Sequence, residues 1–157
     1  MKRGSTGSTI VLRSAVLIIG AVVLALCIFG LPAGIKSDAS GYYRPILLGL
    51  YATAVPFFIA LYQTLKLLHH IDKDRAFSQL SVNTLERIKY CAVTIGGMFT
   101  AGMPYIYLVA DRDDAPGVAA LGFVIIFASI VVAVFAGLMQ KLLQNAIDIK
   151  SENDLTV

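Results

Sequence analysis

The amino-acid sequence predicts an all-α fold, a polytopic membrane protein built as a bundle of four transmembrane helices. Two observations carry this prediction: long uncharged stretches and a strongly hydrophobic composition. The uncharged stretches lack Asp, Glu, Lys, Arg and His and cover residues 14–31, 45–65, 90–110 and 115–140. A helix rises about 1.5 Å per residue, so each stretch is long enough to cross a hydrocarbon core of roughly 30 Å.

The composition excludes a soluble globule. Hydrophobic residues make up 57% of the 157 residues and charged residues only 15%, against about 25% charged in soluble domains. One domain, residues 1–157, accounts for the whole chain, with no room for a separate soluble catalytic module. Its predicted segments are spans at about 10–32, 45–68, 88–110 and 115–140, a loop at 69–87 and a short amphipathic C-terminal extension at 141–157.

Basic residues indicate the orientation. Ten Lys and Arg residues lie in the N-terminal leader, the loop between spans two and three, and the tail, against three in the other two loops. Because basic flanks are retained on the inner side, we expect a multi-pass protein of the cytoplasmic membrane with both termini and the loop 69–87 in the cytoplasm. Contact with the lipid bilayer then accounts for the net charge of +3, and we predict no direct binding of nucleic acid.

Prolines and glycines mark the expected starts, ends and kinks of the predicted spans. Pro32 and Gly34 are expected to end the helix of span one, and Pro45 to open span two. Pro56 removes the hydrogen bond to the carbonyl of Ala52 and is expected to kink span two, with Thr53 available to satisfy the freed backbone.

Polar chemistry inside the spans is sparse. No ionisable Asp, Glu, Lys, Arg or His lies within them, which argues against ion coupling and catalysis. Cys27 and Cys91 differ in depth by roughly 18 Å, too far for a disulfide, so both are expected to be free thiols. The remaining polar side chains of the spans have two interpretations: they form hydrogen bonds between helices, or they line a site for a neutral ligand. They are Thr53, Tyr62, Gln63, Thr64, Thr94, Thr100 and Ser129.

Small residues recur at helical spacing in spans three and four. Gly97 with Ala101, and Ser129 with Ala133 and Gly137, form stripes that allow close approach of helix backbones. The stripes serve packing within the bundle or a homo-oligomer, and the spacing does not distinguish these uses. The candidate hinge or packing residues are Pro56, Gly96, Gly97, Pro104, Ser129, Ala133 and Gly137.

The loop 69–87 and the tail form the predicted cytoplasmic surface. Ser78 or Ser81 is expected to cap a short amphipathic helix that runs into span three. Span four is expected to continue into the cytoplasm with Leu138, Leu142, Ala146 and Ile149 on one face. The candidate partner-docking residues are Arg75, Gln79, Glu86, Arg87, Asp148, Glu152 and Asp154.

Two polar clusters raise the possibility of a metal site. The turn with Asp111, Asp113 and Asp114 offers oxygen ligands, but its spacing fits no defined calcium loop, and Asp113 or Asp114 could instead cap span four. His69 and His70 point about 100° apart on a helix and cannot share a metal ion. We therefore predict no metal, no cofactor and no catalytic residue.

Several polar segments together resemble the domain-of-unknown-function 2975 family of small bacterial membrane proteins: residues 76–81, 87–92, 113–117 and 146–157. The family has no established activity, and the resemblance implies a gene context that includes a small helix-turn-helix regulator of the Cro/C1 type. We therefore expect a non-enzymatic regulatory or sensory membrane component that docks or controls such a cytosolic partner. The alternative is a subunit of a transporter or channel for a neutral or lipophilic solute.

Overall fold

A computed structural model describes residues 2–156 of the chain, with side-chain surroundings for residues 7–155. The elements are α1 (Lys2–Ala25), a π-helical turn (Leu26–Gly30), α2 (Leu31–Ser37), α3 (Arg44–Asp72), α4 (Gln79–Arg112) and α5 (Pro116–Thr156). Over residues 2–156 there is no strand. The continuous helix of α1, the π turn and α2 forms span one, and α3, α4 and α5 form spans two to four. The protein is all-α, with four helices long and apolar enough to cross a membrane, as predicted.

Large apolar side chains are exposed along every span. Phe29 in span one is 75% exposed and Phe127 in α5 is 70% exposed. Such surfaces would be unstable in water but are stable when lipid tails surround them. The buried apolar core is correspondingly small, and most of it lies in α4 and α5: Leu68, Val82, Ala92, Ile106, Val109, Ala110, Ala119 and Ala136.

The helices pack unequally. α4 and α5 share the largest interface, α3 packs on α4, and span one packs on α3 without a comparable interface to α4 or α5. We call the end of the bundle with Arg13, the loop 73–78 and residues 141–156 the terminal face. The other end, with residues 38–43 and 113–115, is the opposite face.

Small residues create the interface between α4 and α5. A Cβ atom on Gly96 would lie 3.2 Å from the Cβ of Ser129, and one on Gly137 would lie 3.4 Å from the Cδ of Lys89. Ser129 is buried and Ala133 half-buried, so the stripe of α5 lies against α4. Gly97 is different, because a Cβ there would meet no atom within 4 Å. Gly97 therefore takes no part in packing within the described chain.

Pro56 and Pro104 lie inside helices that continue through them. The hydroxyl of Thr53 donates to the carbonyl of Leu50 at 2.9 Å, not to the carbonyl of Ala52 that Pro56 frees. The expected role of Thr53 at Pro56 is therefore wrong, since the hydroxyl finds a nearer acceptor in its own turn. The kink at Pro56 stays a prediction.

The glycine pair offers a direct test of the interface between α4 and α5. Gly96→Leu should destabilise the folded protein by about 1–3 kcal/mol more than Gly97→Leu, because only the first side chain meets Ser129. Both variants gain the same helix propensity, so that contribution cancels in the comparison. Thermal unfolding of both variants in detergent measures the difference, and equal midpoints would contradict the packing described above.

Candidate functional site

The loop of the terminal face is a tight turn held by its own backbone. Asp74 adopts a left-handed conformation with φ of 56°, and the Arg75 amide donates to the carbonyl of His70 at 2.9 Å. The hydroxyls of Ser78 and Ser81 both donate to the Arg75 carbonyl, at 2.7 and 3.3 Å. Ser78 is the N-cap residue of α4, as predicted, but its hydroxyl makes no capping bond to the helix because the loop uses it.

Two side-chain contacts join helices at this face. Arg13 of span one forms a salt bridge with Asp72 at the end of α3, with 3.0 Å between nitrogen and oxygen. Lys89 of α4 donates to the side-chain oxygen of Gln140 in α5 at 3.2 Å. An exposed salt bridge contributes about 0.2–1 kcal/mol, so the first contact positions span one without fixing it firmly.

An apolar groove of about 340 Å³ opens on the terminal face. Leu85 of α4 lies between two walls, one with Ile71 and Phe77 and the other with Met139 and Leu142. Phe77 is 64% exposed, so an aromatic ring stands largely uncovered at the edge of the groove. The groove was not predicted, because its walls come from three segments that are distant in sequence.

The candidate docking residues lie at the same end of the molecule as this groove but do not line it. Glu86 is half-buried, whereas the other six are exposed: Arg75, Gln79, Arg87, Asp148, Glu152 and Asp154. The tail is helical through Thr156, as the predicted extension requires, and the amide of Gln144 donates to Asp148 at 3.0 Å. The acidic tail residues are therefore presented on an ordered helix beyond the apolar span.

The two histidines lie in different surroundings. His69 is exposed and His70 is buried. Neither Nδ1 of His70 nor Oε1 of Gln63, buried two turns earlier in α3, has a hydrogen-bond partner among the described residues. Over the same residues, no three His, Cys, Asp or Glu side chains come together to hold a metal ion.

At the opposite face, Asp38 organises the loop before α3. Its carboxylate accepts bonds from the Ser40 hydroxyl and from the amides of Gly41, Tyr43 and Arg44, all between 2.9 and 3.1 Å. Partial desolvation raises the pKa of Asp38, but the four hydrogen bonds together outweigh it and lower the pKa below the usual value. Asp38 thus satisfies the first amides of α3, which have no partner within the helix.

The same loop is tied to the turn between α4 and α5. The Tyr105 hydroxyl donates to the carbonyl of Tyr42 at 2.9 Å, and the Arg112 guanidinium lies 5.3 Å from the centre of the Tyr42 ring. Asp113 beside the Tyr43 hydroxyl raises the pKa of Tyr43. Helix α5 begins at Pro116, so Ala115 precedes it, and the expectation that Asp113 or Asp114 caps span four is wrong.

Span one does not end at Pro32. The helix continues to Ser37 through the π turn, in which the amide of Leu31 donates to the carbonyl of Leu26, five residues earlier. A π turn lengthens the spacing by one residue, so a proline can follow without ending the helix. The predicted helix end at Pro32 is therefore wrong.

The π turn leaves one carbonyl for another helix to satisfy. The amide of Leu31, the usual partner of the Cys27 carbonyl, is used by Leu26, and Pro32 has no N–H to replace it. The hydroxyl of Tyr51 in α3 donates to the Cys27 carbonyl at 2.8 Å. This bond joins spans one and two at membrane depth, and sequence reasoning missed it because it depends on the π turn.

Other hydroxyls of the spans bond within their own helices. The predicted bonds between helices are wrong for five of these side chains, because a carbonyl three or four residues earlier is within reach of a helical Ser or Thr. The donor and acceptor pairs are Thr53 to Leu50, Thr64 to Ala60, Thr94 to Tyr90, Thr100 to Gly96 and Ser129 to Ile125. Cys27 and Cys91 are free, as predicted.

Comparison with known proteins places these features in a family. Residues 27–157 match the family described as "Protein of unknown function (DUF2975)". The chain belongs to the DUF2975 family. It is 56% identical over 156 residues to "Uncharacterized membrane protein YoaS" of Bacillus subtilis (strain 168), an alignment that covers 96% of this chain and 98% of the relative. No solved structure matches the chain. The predicted family is thus confirmed, and neither description indicates an enzymatic activity.

The bond between Tyr51 and Cys27 can be tested in this DUF2975 protein by removing one oxygen. Tyr51→Phe should destabilise the protein by about 0.5–2 kcal/mol, because the Cys27 carbonyl is then unpaired in hydrocarbon. Tyr62→Phe is the matched control, since Tyr62 is 64% exposed on the same helix. Unfolding in mixed micelles measures both variants. Equal losses, or no loss from Tyr51→Phe, would show that the bond contributes nothing.

Proposed function

We propose that this membrane protein is a non-enzymatic regulatory component that docks a cytosolic protein on its terminal face. The apolar groove bordered by the exposed ring of Phe77 is the observation that carries the proposal. Exposed aromatic side chains beside apolar grooves are common anchors of protein interfaces. An amphipathic helix of a partner could place its apolar face in such a groove.

The charge of the tail supports a particular class of partner. Asp148, Glu152 and Asp154 outnumber the single Lys150 in the distal part of α5, so the end of the tail attracts a basic segment of a partner, although the terminal face as a whole carries more basic than acidic side chains. DNA-binding domains carry such basic surfaces, and the family resemblance implies a gene context with a small helix-turn-helix regulator, which we propose as the partner. Docking through the DNA-binding side would compete with DNA, which is a direct route to regulation.

This proposal requires the terminal face to lie in the cytoplasm. The excess of Lys and Arg at that end supports a cytoplasmic terminal face, since the N-terminal leader, the loop between spans two and three, and the tail carry ten of the 13 basic residues. A cytoplasmic membrane location with both termini inside is therefore part of the proposal.

A transporter or channel subunit for a neutral or lipophilic solute is the second candidate. An apolar cavity lined by all four spans is the observation that favours it. Solute-specific flux into liposomes that contain the purified protein alone would favour this candidate over docking.

Docking is tested by binding of a small helix-turn-helix regulator of the Cro/C1 type, if one is encoded beside this protein, to the full chain in lipid nanodiscs. Phe77→Asp should weaken binding about tenfold, whereas Leu80→Asp, exposed but outside the groove, should not. The double change Asp148→Lys and Asp154→Lys should also weaken binding, whereas Asp111→Lys on the opposite face should leave it unchanged. Undiminished binding by both sets of variants would exclude this surface.

Orientation is tested with single cysteines in a chain that lacks Cys27 and Cys91. Ala39→Cys and Asp111→Cys are exposed on the opposite face and should react with an impermeant maleimide on intact cells. Gln79→Cys on the terminal face should react only after permeabilisation. Silence at the first two positions with reaction at the third would reverse the orientation and remove the docking proposal.

A further inference from the structure

An apolar cavity of about 520 Å³ lies between the four spans. Thr53, on its wall, is nine residues past Arg44, and Ile125, on the facing wall, is nine residues past Pro116. Nine residues correspond to about 14 Å of helix, close to the middle of a hydrocarbon core of roughly 30 Å. The cavity therefore lies at membrane depth.

The cavity exists because small side chains meet where span one stands apart from α4 and α5. Gly30 of the π turn and Thr53 and Ala54 of α3 line it, and Phe99 and Ile125 form the far wall. The main interface of span one is with α3, so no comparable helix-to-helix interface closes the space on that side. The void is therefore a consequence of the packing order of the helices.

The wall offers almost nothing to a polar occupant. The Thr53 hydroxyl is already used by the carbonyl of Leu50, and Tyr51 has satisfied the Cys27 carbonyl. Apolar cavities without free polar groups do not hold water, and one of about 150 Å³ binds a single benzene ring. A cavity more than three times that size, surrounded by hydrocarbon, suits a flexible hydrocarbon chain.

A second, smaller cavity extends the space toward the opposite face. It has a volume of about 100 Å³, shares Leu50, Thr53 and Phe99 with the first, and reaches Pro45 at the start of α3. The uncharged stretch of span two begins at Pro45, so we place this residue at the level where lipid headgroups meet the hydrocarbon. A chain attached to a headgroup at that level could therefore continue inward to the larger cavity, which favours a membrane lipid over a free solute.

From this geometry we propose that the cavity binds one acyl chain of a phospholipid from the leaflet at the opposite face. This site is separate from the groove of the terminal face, and the proposal does not depend on partner docking. Binding replaces missing contacts between span one and α4 with contacts to the chain, which supplies the dispersion attraction that an empty cavity forfeits.

The full chain in phosphatidylglycerol vesicles that contain a phospholipid with a mid-chain diazirine tests the proposal. Photolabelling should modify residues of the cavity wall, and Ala54→Leu should reduce this labelling about fivefold by filling the space. Ala128→Leu is the matched control, because Ala128 is exposed on α5 at a similar depth and its variant should keep full labelling. Labelling confined to outward faces would overturn the proposal, as would labelling by a diazirine fatty acid but not by the phospholipid.

Cys27 provides a second measurement if Ala54→Leu fails to fold. In the Cys91→Ser background, Cys27 is the remaining thiol and lines the cavity. Added phosphatidylglycerol should slow its reaction with an apolar maleimide in detergent about fivefold, because the acyl chain occupies the same space. An unchanged rate would overturn the proposal, whatever the outcome of the labelling experiment.

Discussion

The absence of water from the hydrocarbon layer is the constraint on which the rest of the structure depends. Every backbone carbonyl in a span must find its partner inside the protein, because lipid tails offer none. At Pro32 the chain lacks an amide donor, and the structure accommodates that loss with a π turn before it and a bond from Tyr51 to the Cys27 carbonyl, while the helix continues to Ser37. One proline therefore links spans one and two through a hydrogen bond that a soluble helix could replace with water.

Lipid as the solvent also explains which features could be predicted from the sequence. Uncharged length is required to cross a bilayer, so the four spans were predicted correctly from composition alone. The family was also predictable, because its likeness lies in the polar loops and tail. The end of span one was not predicted, since Pro32 disfavours an α-helix but can follow a π turn, and the Tyr51 hydroxyl that bonds to the Cys27 carbonyl comes from another helix.

The hydrogen-bond acceptors of hydroxyl groups in the spans were also not predictable from the sequence. A Thr or Ser in a span signals a donor that needs an acceptor, but the sequence does not say which acceptor. The structure gives Thr100 and Ser129 acceptors in their own helices, so neither bond holds α4 against α5. The close approach of Gly96 to Ser129 holds α4 against α5 instead. The groove on the terminal face was likewise unpredictable, because Phe77 and Leu142 meet only once the helices pack.

Unequal packing assigns different roles to the two halves of the bundle. α4 and α5 form a broad close-packed pair, whereas span one rests on α3 and is joined to it by the bonds at Cys27 and Arg13. These bonds lie about 21 Å apart along the helix, one beside the cavity and the other at the terminal face. A ligand shifts a conformational equilibrium only by its difference in affinity for the two states. Coupling between the cavity and the groove would therefore require span one or α3 to have two positions. Span one lines the cavity and reaches the terminal face, and α3 lines both sites. Helices α4 and α5 are held in their close-packed pair.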